Sequence, residues 1–421
     1  MYPTVSFFLQ EVFGINFPLP IQSYGLIVAI AFLVGAFMMS IEFKRKEKEG
    51  HLLSIYKQVK EGEPATIQAI LISAFVGFIL GFKLVEAAFD YSSFVQNPQD
   101  FILSARGNFL GGLVIAALFG AYTWWDKNRK KLDTPVWKNV EVRPYELTGN
   151  MLVIAGIFGI LGAKIFHLLE NFGTFLKDPI GEFFSFSGLT FLGGLIVGFA
   201  ALAVFVRRNN LNFLHATDAG AVTIPLAYGI GRMACQVSGD GCWGVYNAAY
   251  AAPGSIPQAA IDAGEVASFM PPSWLSWLPD WLFAYNYPHN IVGQGAMMET
   301  CTGEFCHVLN APVFPTPIYE TLMMFTIFAI LFSLRKKIKI PGMLFAIYLF
   351  FGGLERFLVE QIRVNNVLFS IGNFDVTQAM IIAVFMMLTS ITLIILMYKN
   401  KEKMLKWSKT TVKDINKPKK F

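Results

Sequence analysis

Nine apolar runs alternate with polar or basic stretches along the chain, at about 23–43, 66–90, 107–125, 147–168, 188–206, 218–237, 314–334, 342–361 and 376–398. Each comes close to the roughly 20 residues that a helix rising 1.5 Å per residue needs to cross the hydrocarbon of a bilayer. Several are rich in Gly and Phe, as helices packed in lipid often are. The pattern predicts an all-α polytopic membrane protein with about nine transmembrane helices.

The stretches between the runs carry the orientation. Lys and Arg crowd alternate connections: Lys44, Arg45, Lys46 and Lys48 after the first run, Lys127, Arg129, Lys130 and Lys131 after the third, Arg207 and Arg208 after the fifth, and Arg335, Lys336, Lys337 and Lys339 after the seventh. The other connections hold only Arg106, Lys177 and Arg363, and 238–312 has no Lys or Arg. Translocated short loops avoid these residues, so the N-terminus is expected outside and the C-terminus inside. The basic residues at 400–421 suit a cytoplasmic tail on an anionic leaflet. Residues 1–22 carry no positive n-region, which argues against a cleaved signal peptide.

Two segments share a pattern. Residues 77–114 and 158–196 align with Gly81 on Gly162, Lys83 on Lys164, Phe94 on Phe175 and Pro98 on Pro179, followed by a one-residue slip before Leu110 and Leu192. Each copy is a span going out, a loop and a span returning, so this is a parallel duplication. The chain therefore divides into a first membrane domain at 1–237 with its tandem repeat, a small external head at 238–312, a second membrane domain at 313–399 and the tail. Trp and Tyr in "PPSWLSWLPDWLFAYNYP" suit a head resting at the interface, whose fold is not readable from the residues.

Composition agrees with this class: 54% of the 421 residues are hydrophobic and 15% are charged. The net charge of +5 reflects membrane anchoring, and no basic-aromatic motif points to nucleic acid. Cys235, Cys242, Cys301 and Cys306 all fall at or beyond the outer surface, where "CTGEFC" either closes a small disulfide loop or stays reduced.

Charges inside the spans narrow the chemistry, since each costs roughly 2.5–3.5 kcal/mol at the helix centre unless paired or wet. They are Lys83, Glu86, Lys164, Arg232, Glu355, Arg356 and Glu360, with Asp240 just beyond a span. The topology brings Arg232, Asp240, Arg356 and Glu360 to one outer level with Tyr24 and the glycines of "TFLGGL", Gly193 and Gly194. Arg356 and Glu360 share a helix face. Such a set suits an anionic lipid headgroup, held by Arg forks and backbone N–H groups. The competing readings are an Arg232–Asp240 pair, an internal Arg356–Glu360 pair, and Arg232 snorkelling to the surface. Lys83 and Lys164 are expected to pair with acids such as Glu86 or Glu170. His167 is a base, a headgroup donor or a packed residue, and His215 is cytoplasmic. No metal-ligand cluster, nucleophile elbow, P-loop or dinucleotide fingerprint is legible, so no metal and no cofactor is expected.

"GRMACQVSGDGCWG" at 231–244 resembles the "GRxxNxxxGExxG" signature of prolipoprotein diacylglyceryl transferases, bacterial inner-membrane enzymes. "IQSYGL", "LGAKIFHLLENF", "GLTFLGGLIVG", "PTPIYE" and "LFAIYLFFGGLERFLVEQIR" resemble further family segments in the same order, over spans one and four to nine. The copy at 77–114 would be an insertion into a seven-span family. The resemblance implies transfer of the diacylglyceryl group of phosphatidylglycerol to the lipobox cysteine thiol at prolipoprotein signal peptides. It places Arg232 and Arg356 on the phosphate and Glu360 behind Arg356, with Asp240 beside them and Tyr24, Gly193, Gly194, Cys235, Gly244 and His167 lining the site. The family histidine falls on Leu192 and the family tyrosine on Gly352. The signature Asn and Glu are Cys235 and Asp240, with one extra residue before Cys242, leaving His167, Asp240 or Tyr348 as bases. The alternatives are a non-catalytic lipid- or precursor-binding relative and a transporter built on the repeat.

Overall fold

The computed structural model describes residues 1–19, 21–96, 101, 104–184, 190–299, 301, 303–364, 367–372 and 374–406. Pro98 of the repeat and 407–421 of the tail lie outside the described residues. Among the described residues, nine helices of 18 residues or more occupy the nine apolar runs: α1 Ser23–Lys48, α2 Ile67–Phe89, α3 Phe109–Arg129, α4 Thr148–Glu170, α5 Phe191–Arg208, α6 Phe213–Ser238, α7 Thr316–Leu334, α8 Met343–Glu360 and α9 Gln378–Lys399. Side-chain caps start several of them. Asn108 Oδ1 accepts from Gly111 N at 2.7 Å, Asn212 Oδ1 from Leu214 N at 3.1 Å and Thr377 Oγ1 from Met380 N at 3.3 Å, satisfying amides that have no partner inside the helix.

Six of these stretches are long and apolar enough to cross a membrane by length and composition: Ser23–Lys48, Ile67–Phe89, Phe109–Arg129, Pro144–Glu170, Thr316–Leu334 and Gln378–Lys399. Of the remaining three, α6 carries His215, Asp218 and Arg232, α8 carries Glu355, Arg356 and Glu360, and α5 ends in Arg207 and Arg208. Nine helices thus stand at the nine apolar runs, and six of them have the length and apolarity of a span.

Two compact units partition the chain. One comprises Met1–Met1, Leu26–Ile55 and Val142–Phe421, the other Tyr2–Gly25 and Tyr56–Glu141. Within the smaller unit, α2 packs along α3, with Gly81 at the closest approach: a Cβ there would stand 2.6 Å from the Gly111 carbonyl oxygen. Within the larger unit, α4 packs along α5 in the same way, a Cβ at Gly162 falling 2.5 Å from the Gly193 oxygen. The amide of Asn108 bonds Phe82 O at 2.8 Å, and that of Thr190 bonds Ala163 O at 3.1 Å, at matched positions. The sequence repeat is therefore a repeat of one helix-pair geometry. Lys83, expected to pair with an acid, instead donates to the carbonyls of Phe101, Ser104 and Arg106 at 2.9, 2.5 and 2.7 Å. Those loop carbonyls have no ladder partner, and an ammonium supplies three donors at once.

In the larger unit α6 packs on α7 and α8, and α8 on α9, around a core that includes Val222, Met324, Leu331 and Leu344. Polar ties cross it. The Thr321 hydroxyl donates to Gly229 O at 3.1 Å and that of Ser390 to Ala346 O at 2.5 Å. At the start of α6, Asp218 caps the beginning of α8 by accepting from Gly342 N at 2.9 Å and Phe345 N at 3.2 Å, and lies 3.7 Å from Lys46 Nζ. Glu42, fully buried, binds Arg45 at 2.7 Å and Arg335 at 3.2 Å.

The segment between α6 and α7 forms short strand pairs and turns around Trp243, Tyr287, Leu309 and Val313. Tyr319 of α7 donates to Leu282 O, and Tyr287 donates to Gln236 Oε1 at 2.7 Å, fastening the segment to both flanking helices. The disulfide left open by the sequence is made between Cys301 and Cys306.

Candidate functional site

The site grows from the last three turns of α6. Arg232 lies four residues after Tyr228, so the two share a face. The Tyr228 hydroxyl accepts from Arg232 Nε at 3.0 Å and Nη2 at 2.9 Å and donates to Glu320 Oε1 at 3.3 Å. Glu320, one turn into α7, also faces Arg232 Nε at 3.1 Å. Arg363, just beyond α8, donates to Glu320 Oε1 at 3.4 Å. A single carboxylate thereby links a guanidinium on α6 to one just beyond α8.

A second pair stands beside this one. Arg356 binds Glu360 at 2.7 Å along α8, and the other oxygen of Glu360 accepts from Thr377 at 2.7 Å. The exposures decide which groups face outward: the side chains of Glu320 and Glu360 are 0% exposed, those of Arg232, Arg363 and Arg356 are 16%, 18% and 28% exposed. The fully buried carboxylates hold the arginines from behind, and the arginine side chains are partly exposed. Glu355, buried on α8, has Oε1 without a hydrogen-bond partner among the described residues.

The chain then turns sharply. Gly239 ends α6 in the left-handed region at φ 65°, which suits glycine. Asp240 Oδ1 accepts from Cys242 N at 3.1 Å, and its Oδ2 lies 3.4 Å from Cys242 Sγ. The Cys235 thiol, one turn before the end of α6, hydrogen-bonds that of Cys242 and holds it below the ordinary thiol range, with Arg232 and Arg363 adding to the effect against burial. Gly244 bridges Arg363 in an antiparallel pair, and a Cβ on it would stand 2.4 Å from Ile362 O. Only a residue without a side chain lets the turn approach the end of α8 this closely.

These contacts sort the expected residues. Arg232, Arg356, Glu360, Asp240, Cys235 and Gly244 all belong to this end of α6 and α8. The internal Arg356–Glu360 pair is made, and the partner of Arg232 is Glu320, while Asp240 bonds within its own turn. Gly193 and Gly194 lie in the α4–α5 contact, where a Cβ on Gly193 would meet Phe166 at 2.3 Å. His167 is near the end of α4, 3.1 Å from the Asn171 amide. Tyr24 is exposed at the start of α1 and belongs to the smaller unit. Gly352 opens toward the Tyr348 ring, 3.9 Å from where its Cβ would be. His215 is at the other end of α6, 17 residues and about 25 Å from Arg232 at 1.5 Å per residue.

Sequence reasoning missed Glu320 and Tyr228. The signal for Glu320 was an acid inside the apolar run at 314–334, and for Tyr228 a hydroxyl at i−4 from the arginine at the end of the apolar run 218–237. It also found no metal-ligand cluster, whereas Cys235, Asp240 and Cys242 bring one ligand atom each to within 4.8 Å of one another. The spacing, six residues of helix and turn, matches no short metal motif, and only the reversal at Gly239 folds it together.

The sequence model of the prolipoprotein diacylglyceryl transferase family matches residues 10–142 and 112–396, two placements that overlap around the duplicated pair. Among the relatives, the phosphatidylglycerol–prolipoprotein diacylglyceryl transferase of Corynebacterium glutamicum is 30% identical over 227 residues, which cover 52% of this chain and 61% of that protein. Its counterpart in Leptospira interrogans is 27% identical over 243 residues, 52% of this chain and 62% of that protein. The Staphylococcus aureus protein is 25% identical over 248 residues, 58% of this chain and 72% of its own. The match thus spans about three fifths of the length of the first two.

Proposed function

From the premise that this chain belongs to the prolipoprotein diacylglyceryl transferase family, we propose that it moves the diacylglyceryl group of phosphatidylglycerol onto the lipobox cysteine thiol of prolipoproteins. The observation that carries this is the set of partly exposed arginines on α6, on α8 and just beyond it, backed by the buried carboxylates of Glu320 and Glu360. Phosphate fits such a set because guanidinium forks match its oxygens. As the glycerol carbon–oxygen bond breaks, charge grows on the leaving phosphate. Arginines already held in place then stabilise the transition state more than the bound lipid.

In this reading all nine long helices cross the bacterial inner membrane, with the N-terminus and the α6–α7 segment outside and the tail inside, in keeping with the basic connections. Lipid and signal peptide enter sideways from the bilayer.

The test is transfer of labelled diacylglycerol from phosphatidylglycerol to a lipobox peptide by the purified protein, with a Cys→Ser peptide as control. Transfer to the thiol peptide alone is expected. Binding of the lipid without transfer would identify a non-catalytic relative, the reading that Leu192 and Gly352 favour.

A further inference from the structure

Two departures from the family signature, Cys235 and Asp240, and the neighbouring Cys242 supply soft and hard ligand atoms at one place. We propose that they bind a zinc ion whose fourth position accepts the thiol of the prolipoprotein. The zinc-binding half stands on geometry alone; the thiol-activating half rests on the transferase reading above.

The geometry suits the ion. In tetrahedral coordination, with Zn–S about 2.3 Å and Zn–O about 2.0 Å, neighbouring ligand atoms are about 3.5–3.8 Å apart. The Asp240 Oδ2 to Cys242 Sγ distance is already 3.4 Å, and all three ligand atoms lie within 4.8 Å. Closing the set around an ion takes about an ångström of side-chain movement. Two of the ligands are on the turn after Gly239, where a small rotation is cheap, and Cys235 is buried on the rigid end of α6. Two thiolates favour zinc over magnesium or calcium. Three protein ligands with one position open is the pattern of reactive zinc sites, while structural ones use four.

The position answers a chemical need. The family histidine is Leu192 here, and something must take the proton from the acceptor thiol. A thiol that coordinates zinc is deprotonated outright, its proton passing to water. Cys235 is three residues after Arg232 on α6, so the ligand set stands on the same helix face as the guanidinium assigned to the phosphate. The sulfur lone pair then attacks the glycerol carbon, the carbon–oxygen pair leaves with the phosphate, and the neutral thioether, a weaker ligand, is released. The ion is not consumed. Two thiolates and a carboxylate on a divalent ion leave one negative charge, which Arg232 and Arg363 offset.

The experiment uses the full-length protein in detergent, purified without chelator. Zinc is counted by elemental mass spectrometry, and cobalt is exchanged in to read the thiolate-to-cobalt charge-transfer band, which needs no variant and no activity. About one zinc per chain and a two-thiolate band are expected, with the band roughly halved in Cys242→Ser and the metal lost in Asp240→Ala. Transfer should fall at least tenfold on chelation and return with zinc. Absence of both metal and band, or a Cys235–Cys242 disulfide in peptide mapping, overturns the site. Transfer that survives complete stripping overturns the thiol-activating role. Bound zinc with no transfer under any condition would leave the site standing and count against the transferase reading.

Discussion

At the level of single residues, the site is organised by who stands behind whom. Glu320 and Glu360 are fully buried and each holds an arginine whose side chain is partly exposed. Arg232→Ala is therefore expected to lower kcat for diacylglyceryl transfer by about 10²–10³, the loss seen when a transition-state donor is removed. Arg232→Lys keeps the charge without the fork and should recover only a fraction of it. Glu320→Gln acts differently: it leaves two partly buried guanidiniums facing a neutral amide. Breaking a buried pair costs about 3–5 kcal/mol, so its unfolding midpoint in denaturant should fall along with activity. A Glu320→Gln protein with unchanged stability would show that the pair is not structural. Glu320 was legible as an acid in an apolar run; its sharing between Arg232 and Arg363 was not, because that needs α6, α7 and the end of α8 in one place.

At the level of elements, two glycines in one helix separate packing from propensity. A Cβ on Gly156 of α4 meets nothing within 4 Å, while one on Gly162 strikes the Gly193 carbonyl. Gly156→Ala is expected to stabilise by about 0.5–1 kcal/mol through helix propensity, and Gly162→Ala to destabilise; thermal unfolding of the two variants in detergent reads the opposite signs. His51, in the connection after α1, stacks on His215 at 4.5 Å, and burial together with Lys46 holds its pKa below the ordinary 6.5. The unfolded chain thus binds a proton that the folded one resists. Stability is full above pH 6.5 and declines as pH falls below it. His51→Gln should lessen the fall in melting temperature between about pH 7 and 5; an unchanged slope would place the acid sensitivity elsewhere.

For the whole molecule, the pair α2 and α3 leaves and returns to the chain at adjacent points. The strands Ile55–Glu61 and Val136–Val142 pair with each other, and Leu132 N bonds Gly62 O at 3.2 Å. Replacing residues 63–131 by a short Gly-Asn turn should therefore leave the larger unit able to insert and to carry out transfer within a few-fold of the full chain; inactive but folded protein would give that pair a role in the chemistry. Single-cysteine labelling from either side of inverted vesicles tests the orientation, with the α6–α7 segment expected outside and the α7–α8 connection inside.

By itself, the order of residues determined where the nine helices run, because apolar length and local capping act over neighbouring positions. It also determined the repeat, since Gly81 and Gly162 each mark the same close approach, and it marked Arg232 and Arg356 because charges in apolar runs are too costly to be idle. Tertiary structure decided the partners. Arg232 meets Glu320 rather than Asp240 because α7 crosses α6 at that depth. Lys83 finds carbonyls rather than an acid because the loop folds back over it. Cys235, Asp240 and Cys242 converge only because Gly239 reverses the chain. Electrostatic and ligand contacts depend on distances of a few ångströms between segments remote in sequence, and those distances exist only once the helices have packed.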